Sequence, residues 1–321
     1  MNSLNPLVSV IIPCYNVATY VEKAVNSILA QTYHNMEVWI IDDASSDDTL
    51  KRINAIKDKR INVVAFKENT RKIGAVNEVL RKVKGDYIAF QDADDWSEPD
   101  RIGEQVKKFL TTPGLGICLT NFRYRGKKVF SHKKLATTNE ELKKGFLNFN
   151  KENITELTLP ACATMMISKQ ALSATGGYHP YFVERVAEDI HWIYRILKNF
   201  EGVTIDRILY NYLLREGSFS QVQHIGVNPK YAYSWQLLSK IISKDVHEGI
   251  DALNPENAQL LRILELEACE EALSENIQLL NRTRTDYESS MSFRIGKFIV
   301  RPLRLLGMRK ISSTTAVKAK K

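Results

Sequence analysis

The amino-acid sequence predicts an α/β protein in which a mostly parallel β-sheet is flanked by helices and followed by a C-terminal helical extension. Four short apolar runs alternate with segments of helical spacing in the first part of the chain, which is typical of parallel strands joined by right-handed crossovers. In residues 255–287, apolar side chains are interleaved with Glu and Asn, which indicates one long amphipathic helix. That helix either packs on the main domain or mediates assembly into a homo-oligomer.

Each strand is predicted from apolar and β-branched residues that end at turn-forming or acidic residues. The first four strands cover residues 8–12, 37–41, 62–66 and 87–90, and later strands cover 114–122 and 164–168. Helical spacing predicts helices over residues 20–31, 45–57, 73–84 and 99–110. The basic, polar segment 123–159 fits neither pattern and is interpreted as an acceptor-side loop.

The composition is that of an ordinary globular protein, with 44% hydrophobic and 26% charged residues among 321. The four cysteines show neither paired nor metal-binding spacing, which favours a reduced, cytoplasmic setting. The N-terminus lacks a secretory signal pattern, and no apolar run is long enough to span a membrane. We therefore expect a soluble or peripherally membrane-associated protein.

The net charge of +8 is concentrated near the C-terminus. Residues 282–321 contain eleven Lys and Arg against two acids, whereas the rest of the chain is almost neutral. Residues 293–306 mix aromatic and aliphatic groups with regularly placed cations, a composition that suits an anionic membrane surface. Nucleic acid fits less well, because the aliphatic content is high and no recognition fold accompanies the tail.

Three carboxylates follow the fourth strand within four residues: Asp92, Asp94 and Asp95. Clustered aspartates repel one another unless a cation or hydrogen-bond donors compensate. Asp92 and Asp94 are two residues apart and can face a common ligand, while Asp95 turns away. Such oxygen ligands suit Mg²⁺ or Mn²⁺. The alternative is a solvated acidic turn that caps the next helix.

Polar clusters also follow the first two strands, and the carboxyl ends of parallel strands border one ligand-binding crevice. The side chains expected there are Tyr15, Asn16, Asp42, Asp43, Asp92 and Asp94. The sequence has neither the glycine-rich turn of dinucleotide folds nor a P-loop. A diphosphate-bearing nucleotide fits best, held by a cation at Asp94 and by basic groups such as Lys67, Arg71 or Lys72.

Four segments form an ordered set: residues 6–16 (PLVSVIIPCYN), 27–33 (SILAQTY), 41–47 (IDDASSD) and 85–95 (GDYIAFQDADD). Together they resemble glycosyltransferase family 2, the inverting, nucleotide-sugar-dependent enzymes of the GT-A fold. The resemblance implies that Pro13, Tyr15 and Asn16 bind the nucleotide, with Pro13 and Tyr15 framing its base. It also implies that Asp43 accepts the N3 proton of that base, which suits uridine.

The resemblance implies roles for the remaining acids as well. Asp92 would approach the ribose or the sugar, and Asp94 would bind Mg²⁺ or Mn²⁺ bridging the diphosphate. The family's second acidic motif is matched by Glu188 and Asp189, which places Asp189 as the general base and Glu188 on the acceptor side. A positioned carboxylate can take the proton of an attacking hydroxyl. The alternative is that the pair only caps the following helix.

The loop after the third strand departs from the family pattern, because Arg71 occupies the usual glycine position and Val76 the usual arginine position. Either Arg71 or Lys72 takes over the phosphate contact, or this is a plain solvated loop. Residues 215–220 resemble the family's mobile loop after the last core strand. His224 is a weaker candidate for a metal or phosphate contact.

By family analogy, we expect a UDP-sugar donor and a glycan or lipid-linked glycan acceptor, in the synthesis of a surface polysaccharide such as capsule or O-antigen. The protein would lie at the cytoplasmic, inner face of the cell membrane. A sugar nucleotidyltransferase is disfavoured, because the glycine- and arginine-rich loop of those enzymes is absent after the first strand. A non-catalytic scaffold is disfavoured, because it needs no set of carboxylates in a crevice.

These inferences divide the chain into four parts. Residues 1–110 form the nucleotide-sugar-binding half of the GT-A domain, and residues 111–225 form the acceptor-binding half. Residues 226–290 form the helical extension, and residues 291–321 form the basic amphipathic tail.

Overall fold

The computed structural model describes residues 5–126, 134–147, 159–215 and 229–290. Its strands are β1 (Val8–Cys14), β2 (Met36–Asp42), β3 (Ile61–Ala65), β4 (Tyr87–Phe90), β5 (Trp96–Ser97), β6 (Leu115–Arg125), β7 (Met166–Ser168) and β8 (Glu201–Leu213). Its helices are α1 (Val21–Leu29), α2 (Thr49–Ala55), α3 (Arg71–Leu80), α4 (Arg101–Thr111), α5 (Asn139–Leu147), α6 (Lys169–Thr175), α7 (Glu188–Asn199), α8 (Pro229–Glu248) and α9 (Ala258–Ser289).

The described strands form one sheet in the order β3-β2-β1-β4-β7-β6-β8-β5. Strands β1 to β4 pair in parallel, as the alternation of strands and helices predicts. Strand β7 is antiparallel to both of its neighbours, β5 is antiparallel to β8, and β6 is parallel to β8. The predicted α/β sheet flanked by helices with a C-terminal helix is therefore confirmed, and the sheet is mixed in its second half.

Two apolar clusters pack on the two faces of the sheet. Because successive side chains of a strand point to opposite faces, Val10 and Ile12 of β1 join the cluster of α1 and α4, whereas Ile11 joins the cluster of α3 and α7. All three side chains are fully buried, and each contributes about 2 kcal/mol relative to an exposed position. This two-sided burial explains why β1 has a continuous apolar sequence.

The structure differs from the sequence-based boundaries mainly between β6 and β7. Strand β6 extends to Arg125, and helix α5 forms within the segment that the sequence left unassigned. The buried residues of α5 are Leu142, Gly145 and Phe146, too few and too irregular to give a clear helical period. The predicted strand 164–168 is shortened to β7, because Cys162–Thr164 forms a 3₁₀ turn.

The chain separates into two compact units, Met1–Glu270 and Glu271–Lys321, and the boundary falls within α9. The predicted C-terminal helix is present as α9. Among the described residues, no helix is long and apolar enough to cross a membrane. The predicted basic tail, residues 291–321, lies outside the described residues.

A close backbone approach joins the start of β1 to the start of β4. Gly85 donates its amide hydrogen to Ser9 Oγ at 2.8 Å, and Ser9 Oγ donates to Glu37 Oε1 at 2.6 Å. A Cβ on Gly85 would lie 2.6 Å from both Ser9 N and Tyr87 O. Only glycine therefore allows this crossing without moving the backbone of two strands.

We expect Gly85→Ala to lower the free energy of unfolding by about 2 kcal/mol or more, because the added methyl group meets backbone atoms that cannot rotate away. The matched control is Gly103→Ala in α4, where a Cβ would meet nothing closer than 3.8 Å. The control should leave stability unchanged or raise it by up to about 1 kcal/mol. Urea denaturation followed by circular dichroism measures both, and equal midpoints would contradict the expectation.

Candidate active site

The pairing of β1 with β2 and β4 brings three strand ends to one edge of the sheet. Cys14 of β1 is in register with Asp42 of β2, and Ile11 is in register with Phe90 of β4. The residues that follow these strands, including Tyr15, Asp43 and the loop of residues 91–95, therefore lie at the same edge. The structure thus brings together the residues that the sequence predicted for nucleotide binding, while their individual roles stay predictions.

The loop after β1 exposes an aromatic ring and fixes the backbone beside it. Tyr15 is 52% exposed, and an exposed ring beside a strand end can stack on a nucleotide base. Asn16 Oδ1 accepts a hydrogen bond from Ser46 N at 2.8 Å, and Asn16 N donates to Ser45 Oγ at 3.0 Å. Asn16 therefore ties the loops after β1 and β2 together. Pro13 is partly buried at the end of β1.

Asp43 holds the loop that precedes α3. Its Oδ1 atom accepts hydrogen bonds from Thr70 N at 2.8 Å and from Thr70 Oγ1 at 2.9 Å. Asn69 Nδ2 adds a bond to the Asp43 carbonyl at 3.1 Å. Asp43 is nearly buried, so these bonds fix both its carboxylate and the start of α3 that carries Lys72.

The acidic loop of residues 91–95 is held from the side of β8. Asp92 N donates to the Tyr210 hydroxyl at 3.1 Å, and Leu213 N donates to Asp95 Oδ1 at 2.8 Å. Burial, together with the neighbouring carboxylates of Asp92 and Asp94, raises the pKa of Asp95 well above its usual value. Asp95 thus turns into the protein, as its spacing from Asp94 predicted.

Arg101 provides a buried positive charge beneath this loop. Its NH1 group donates to the carbonyl oxygen of Phe90, the last residue of β4, at 2.9 Å. The guanidinium lies 5.4 Å from the centre of the Tyr210 ring, and burial lowers its pKa to about 10 although Tyr210 and Asp92 favour the charged form. Sequence reasoning missed this role, because it assigned Arg101 only to the start of a helix.

Asp94 is paired with a cation in the structure. Arg215 Nε donates to Asp94 Oδ2 at 2.7 Å, with the two side chains 30% and 23% exposed. The guanidinium also lies 5.3 Å from the centre of the Tyr20 ring. The Asp94 carboxylate thus binds a cationic side chain in this structure. A carboxylate in such a position is suited to bind the predicted divalent metal ion.

No group of three His, Cys, Asp or Glu side chains in the described ranges could hold a metal ion by itself. Mg²⁺ is commonly bound through one or two carboxylates and completed by water and substrate phosphates. Asp94, with Asp92 near it, fits that mode of binding. His224, the weaker metal candidate, lies outside the described residues, as do positions 216–220 of the predicted mobile loop.

The two basic residues at the start of α3 pair with acids just before α7 and at its first residue. Arg71 NH2 lies 3.2 Å from Glu184 Oε1 in an exposed pair, and Lys72 Nζ lies 3.3 Å from Glu188 Oε1, with Glu188 only 15% exposed. The Lys72 pair connects the predicted donor side with α7, the helix that carries Asp189, whereas the Arg71 pair is solvated, with side chains 55% and 63% exposed.

Lys72 is surrounded by acidic groups from several elements. Burial alone would lower the pKa of its ammonium group, but Tyr178, Glu188, Asp92 and Asp189 together raise that pKa well above its usual value. Lys72 is therefore charged at physiological pH. Its ammonium group lies 5.8 Å from the centre of the Tyr178 ring, a neighbour that sequence reasoning did not single out.

Asp189 lies in the first turn of α7. Its Oδ1 atom accepts a hydrogen bond from Ile190 N at 2.8 Å, and the Cys162 thiol also bonds to it. Burial and the like charge of Glu188 raise the pKa of Asp189 to about 6, although Lys72 opposes the shift. A carboxyl group with that pKa can accept a proton near neutral pH.

Backbone strain is concentrated at these same residues. In the described ranges, four residues other than glycine have positive φ angles: Asn16 (52°), Ala44 (59°), Arg71 (64°) and Ala187 (73°). Each is a candidate site residue or directly adjoins one. Such conformations are costly for residues with a Cβ atom and persist mainly where function requires them, so this is evidence for a site that does not depend on sequence motifs.

Comparison with known proteins gives a consistent result. The sequence model described as Glycosyl transferase family 2 matches residues 9–174, slightly more than half of the chain. Over 223 residues the chain is 29% identical to the Bacillus subtilis "Putative teichuronic acid biosynthesis glycosyltransferase TuaG", covering 68% of this chain and 84% of that relative. It is 42% identical over 118 residues to the Escherichia coli UDP-Glc:alpha-D-GlcNAc-diphosphoundecaprenol beta-1,3-glucosyltransferase WfaP, covering 36% of this chain and 46% of that relative.

Solved structures share the fold at low sequence identity. S. aureus TarS 1-349 in complex with UDP-GlcNAc superposes with a TM-score of 0.58 at 20% identity, covering 89% of this chain and 77% of that TarS chain. The mannosyltransferase PcManGT of Pyrobaculum calidifontis, in complex with GDP-Man and Mn2+, superposes with a TM-score of 0.55 at 18% identity, covering 96% and 89% of the two chains. Both are glycosyltransferases of the GT-A fold, so the predicted fold is confirmed.

We expect Arg215→Ala to increase the affinity for Mn²⁺ in the absence of nucleotide, because the metal ion no longer has to displace the guanidinium from Asp94. A partly exposed ion pair is worth about 1 kcal/mol, which corresponds to about a fivefold change in affinity. Titration of free Mn²⁺ by electron paramagnetic resonance measures the effect. The control is Arg207→Ala on β8, the strand that precedes Arg215, which removes the pairs with Asp100 and Glu104 and should leave Mn²⁺ affinity unchanged. Weaker Mn²⁺ binding by Arg215→Ala would contradict the expectation.

Proposed function

This chain belongs to glycosyltransferase family 2, and from that premise we propose that it moves a sugar from a UDP-sugar to a hydroxyl group of a lipid-linked glycan. The transfer inverts the anomeric carbon and serves the assembly of a bacterial surface polysaccharide such as capsule or O-antigen. The observation that carries this proposal is the position of Asp189: a carboxyl group with its pKa raised to about 6 shares the Lys72 charge with Asp92 of the donor side.

Asp189 acts as the general base in this proposal. The acceptor oxygen forms the new bond to the anomeric carbon while its proton passes to the Asp189 carboxylate. The bond between that carbon and the diphosphate oxygen breaks, and its electron pair leaves with the nucleotide. The attack comes from the face opposite the leaving group, so the base and the diphosphate site must lie on opposite sides of the anomeric carbon. In this proposal Asp189 at the start of α7 lies on one side and Asp94 after β4 on the other.

The donor side is assigned to residues at the ends of β1, β2 and β4. Tyr15 stacks on the base beside Pro13 and Asn16, Asp43 accepts the N3 proton of uracil, and Asp92 contacts the ribose or sugar. Asp94 holds Mg²⁺ or Mn²⁺, which when bound offsets negative charge on the diphosphate. PcManGT, which shares the fold, is described with Mn2+, and TarS is described with UDP-GlcNAc.

Lys72 and Glu188 position the base. The Lys72 ammonium offsets negative charge between Asp92 and Asp189, and Glu188 keeps the pKa of Asp189 high by like-charge repulsion. Arg71 makes an exposed ion pair with Glu184, four residues before α7. This arrangement keeps the acceptor side aligned with the donor side without a covalent link.

The acceptor is proposed to be a lipid-linked glycan at the inner face of the cell membrane. The name of WfaP, which matches part of this chain, specifies a diphosphoundecaprenol-linked acceptor, and TuaG is named for teichuronic acid biosynthesis. The basic residues of the tail 291–321 would hold the enzyme at anionic lipid. In this proposal the enzyme is cytoplasmic and peripherally bound to that membrane.

Calorimetric titration with UDP, with GDP as the control ligand, tests the donor side. We expect UDP to bind the wild-type protein in the presence of Mn²⁺ and more weakly in its absence, because metal coordination at Asp94 offsets the diphosphate charge. Asp94→Ala should abolish the metal-dependent gain. The matched control is Asp48→Ala, which removes an exposed carboxylate paired only loosely with Lys51 at 4.0 Å. Binding of GDP in preference to UDP would overturn the choice of donor, and absence of any nucleotide binding would overturn the catalytic assignment.

Turnover of Asp189→Asn tests the base. We expect the rate of sugar transfer to fall by about 10²–10⁴-fold, with UDP affinity unchanged because Asp189 does not bind the donor. The wild-type rate should decline below about pH 6, since only the ionised carboxylate accepts a proton and its pKa is raised to about 6. Full activity of Asp189→Asn would show that the base lies elsewhere.

Glu188→Gln provides the complementary pH measurement. Removing the like charge lowers the pKa of Asp189, because Glu188 raises that pKa and the freed Lys72 opposes it. The acidic limb of the pH profile should therefore move to lower pH. An unchanged acidic limb would show that this limb does not reflect the ionisation of Asp189.

A further inference from the structure

Helix α9 carries a row of exposed aliphatic side chains. In the described ranges, the exposed large apolar residues on this helix include Ile263 (52%), Leu266 (56%), Leu273 (55%), Ile277 (58%) and Leu280 (61%). We call these five residues the outer stripe. Other residues of the same helix, Leu264 and Ala268, are buried in the main apolar cluster, so the outer stripe is not needed to hold the helix on the protein.

The spacing of the outer stripe follows a heptad. Counted along the sequence, positions 263, 266, 270, 273, 277, 280 and 284 alternate in steps of three and four residues. This is the a/d pattern of coiled coils, in which apolar side chains form a seam between helices. Positions 270 and 284 are polar exceptions: Glu270 and Arg284. The buried α9 residues Leu264 and Ala268 fall at b and f, away from this seam, and so does the partly buried Leu261 at f.

The charges beside the outer stripe disfavour a lipid surface as its partner. Between residues 258 and 280 the helix carries five glutamates and one arginine. Helices that lie on anionic membranes instead place Lys and Arg along the polar face. An acidic helix with an apolar heptad seam is suited to another protein helix.

We propose that the outer stripe is the interface of a homodimer, in which the α9 helices of two copies of this chain form a short antiparallel coiled coil. The polar a positions indicate the second copy and its direction. In a parallel pair, identical residues meet, so that Glu270 faces Glu270 and Arg284 faces Arg284. In an antiparallel pair with Leu273 opposite Ile277 of the partner, Glu270 lies about one helical turn, or 6 Å along the axis, from Arg284 of the partner.

The antiparallel pair therefore contains two contacts between opposite charges, each between Glu270 of one copy and Arg284 of the other. Unlike the parallel pair, it does not bring Glu270 to Glu270 or Arg284 to Arg284. Arg284 already forms an i,i+4 pair with Glu288 at 3.0 Å, but both side chains are well exposed, and such pairs contribute little. The outer stripe itself covers about 26 Å of helix, and the a/d pattern continues to Tyr287, which is 62% exposed. From residue 263 to residue 287 the pattern covers more than three heptads, about 36 Å of helix, which is long enough for a coiled coil to be recognised.

Sedimentation velocity over a wide range of protein concentration tests the interface with the full chain. We expect the wild type to show a reversible monomer–dimer equilibrium, and Leu273→Glu/Leu280→Glu to remain monomeric, because two charges per chain enter the apolar seam. The matched control is Gln278→Glu/Thr285→Glu, which introduces the same charge change at the same seven-residue spacing but off the stripe. The control should dimerise like the wild type. Circular dichroism and UDP binding should be the same for all three proteins.

A charge exchange tests the orientation. Glu270→Arg alone should weaken dimerisation by about tenfold, because two attractive pairs become repulsive, and adding Arg284→Glu should restore it. In a parallel pair, Glu270→Arg would only replace one like-charge contact by another. Unchanged affinity of the single variant would therefore overturn the antiparallel arrangement.

Three results would overturn the interface itself. The first is a wild-type protein that stays monomeric at every concentration, and the second is a dimer that survives Leu273→Glu/Leu280→Glu. The third is loss of the dimer on removal of residues 291–321 with the stripe intact, which would identify the tail as the contact. Binding of phosphatidylglycerol vesicles that depends on Leu273 and Leu280, without dimerisation, would identify the stripe as a lipid surface instead.

Discussion

The buried guanidinium of Arg101 is the interaction on which the candidate site depends. Three carboxylates within four residues repel one another, and two of them, Asp92 and Asp95, have raised pKa values because burial disfavours their charge. Arg101 binds the carbonyl at the end of β4, directly before these acids, and places a fixed positive charge below them. Arg215 and Lys72 supply charge from the other sides. The acidic loop is stable because basic groups from three separate elements converge on it.

The same residues that carry the proposed chemistry also hold the site together. Asp43 binds both donor groups of Thr70 and so fixes the start of α3, which in turn carries Lys72 to Glu188 at the start of α7. The residues with positive φ angles, Ala44, Arg71 and Ala187, are next to the residues that make these contacts. Each strained residue costs on the order of 1–3 kcal/mol, which the surrounding hydrogen bonds and ion pairs offset. The donor side and the base are therefore linked through a continuous set of contacts.

Much of the fold could be predicted from the sequence because its first half is built from local patterns. The alternation of apolar runs and helical spacing identified β1 to β4, and the parallel pairing followed from the connections. The antiparallel direction of β7, the short β5 and helix α5 could not be predicted. Their apolar residues are few, and their structure depends on contacts with residues that are distant in sequence. Family resemblance named Asp43, Asp94 and Asp189, but gave no reason to select Tyr210, Cys162 or Arg101, whose roles depend on burial.

The sequence by itself determined the α/β class, the acidic residues at the strand ends and the heptad spacing of α9. Each of these features depends only on which residue types occur at short, regular intervals along the chain. Only the tertiary structure decided which charges meet: Arg215 with Asp94, Lys72 with Glu188, and Arg101 beneath the acidic loop. The physical reason is that a pKa or an ion pair depends on distance and burial, and both are set by contacts between residues as far apart as 121 positions.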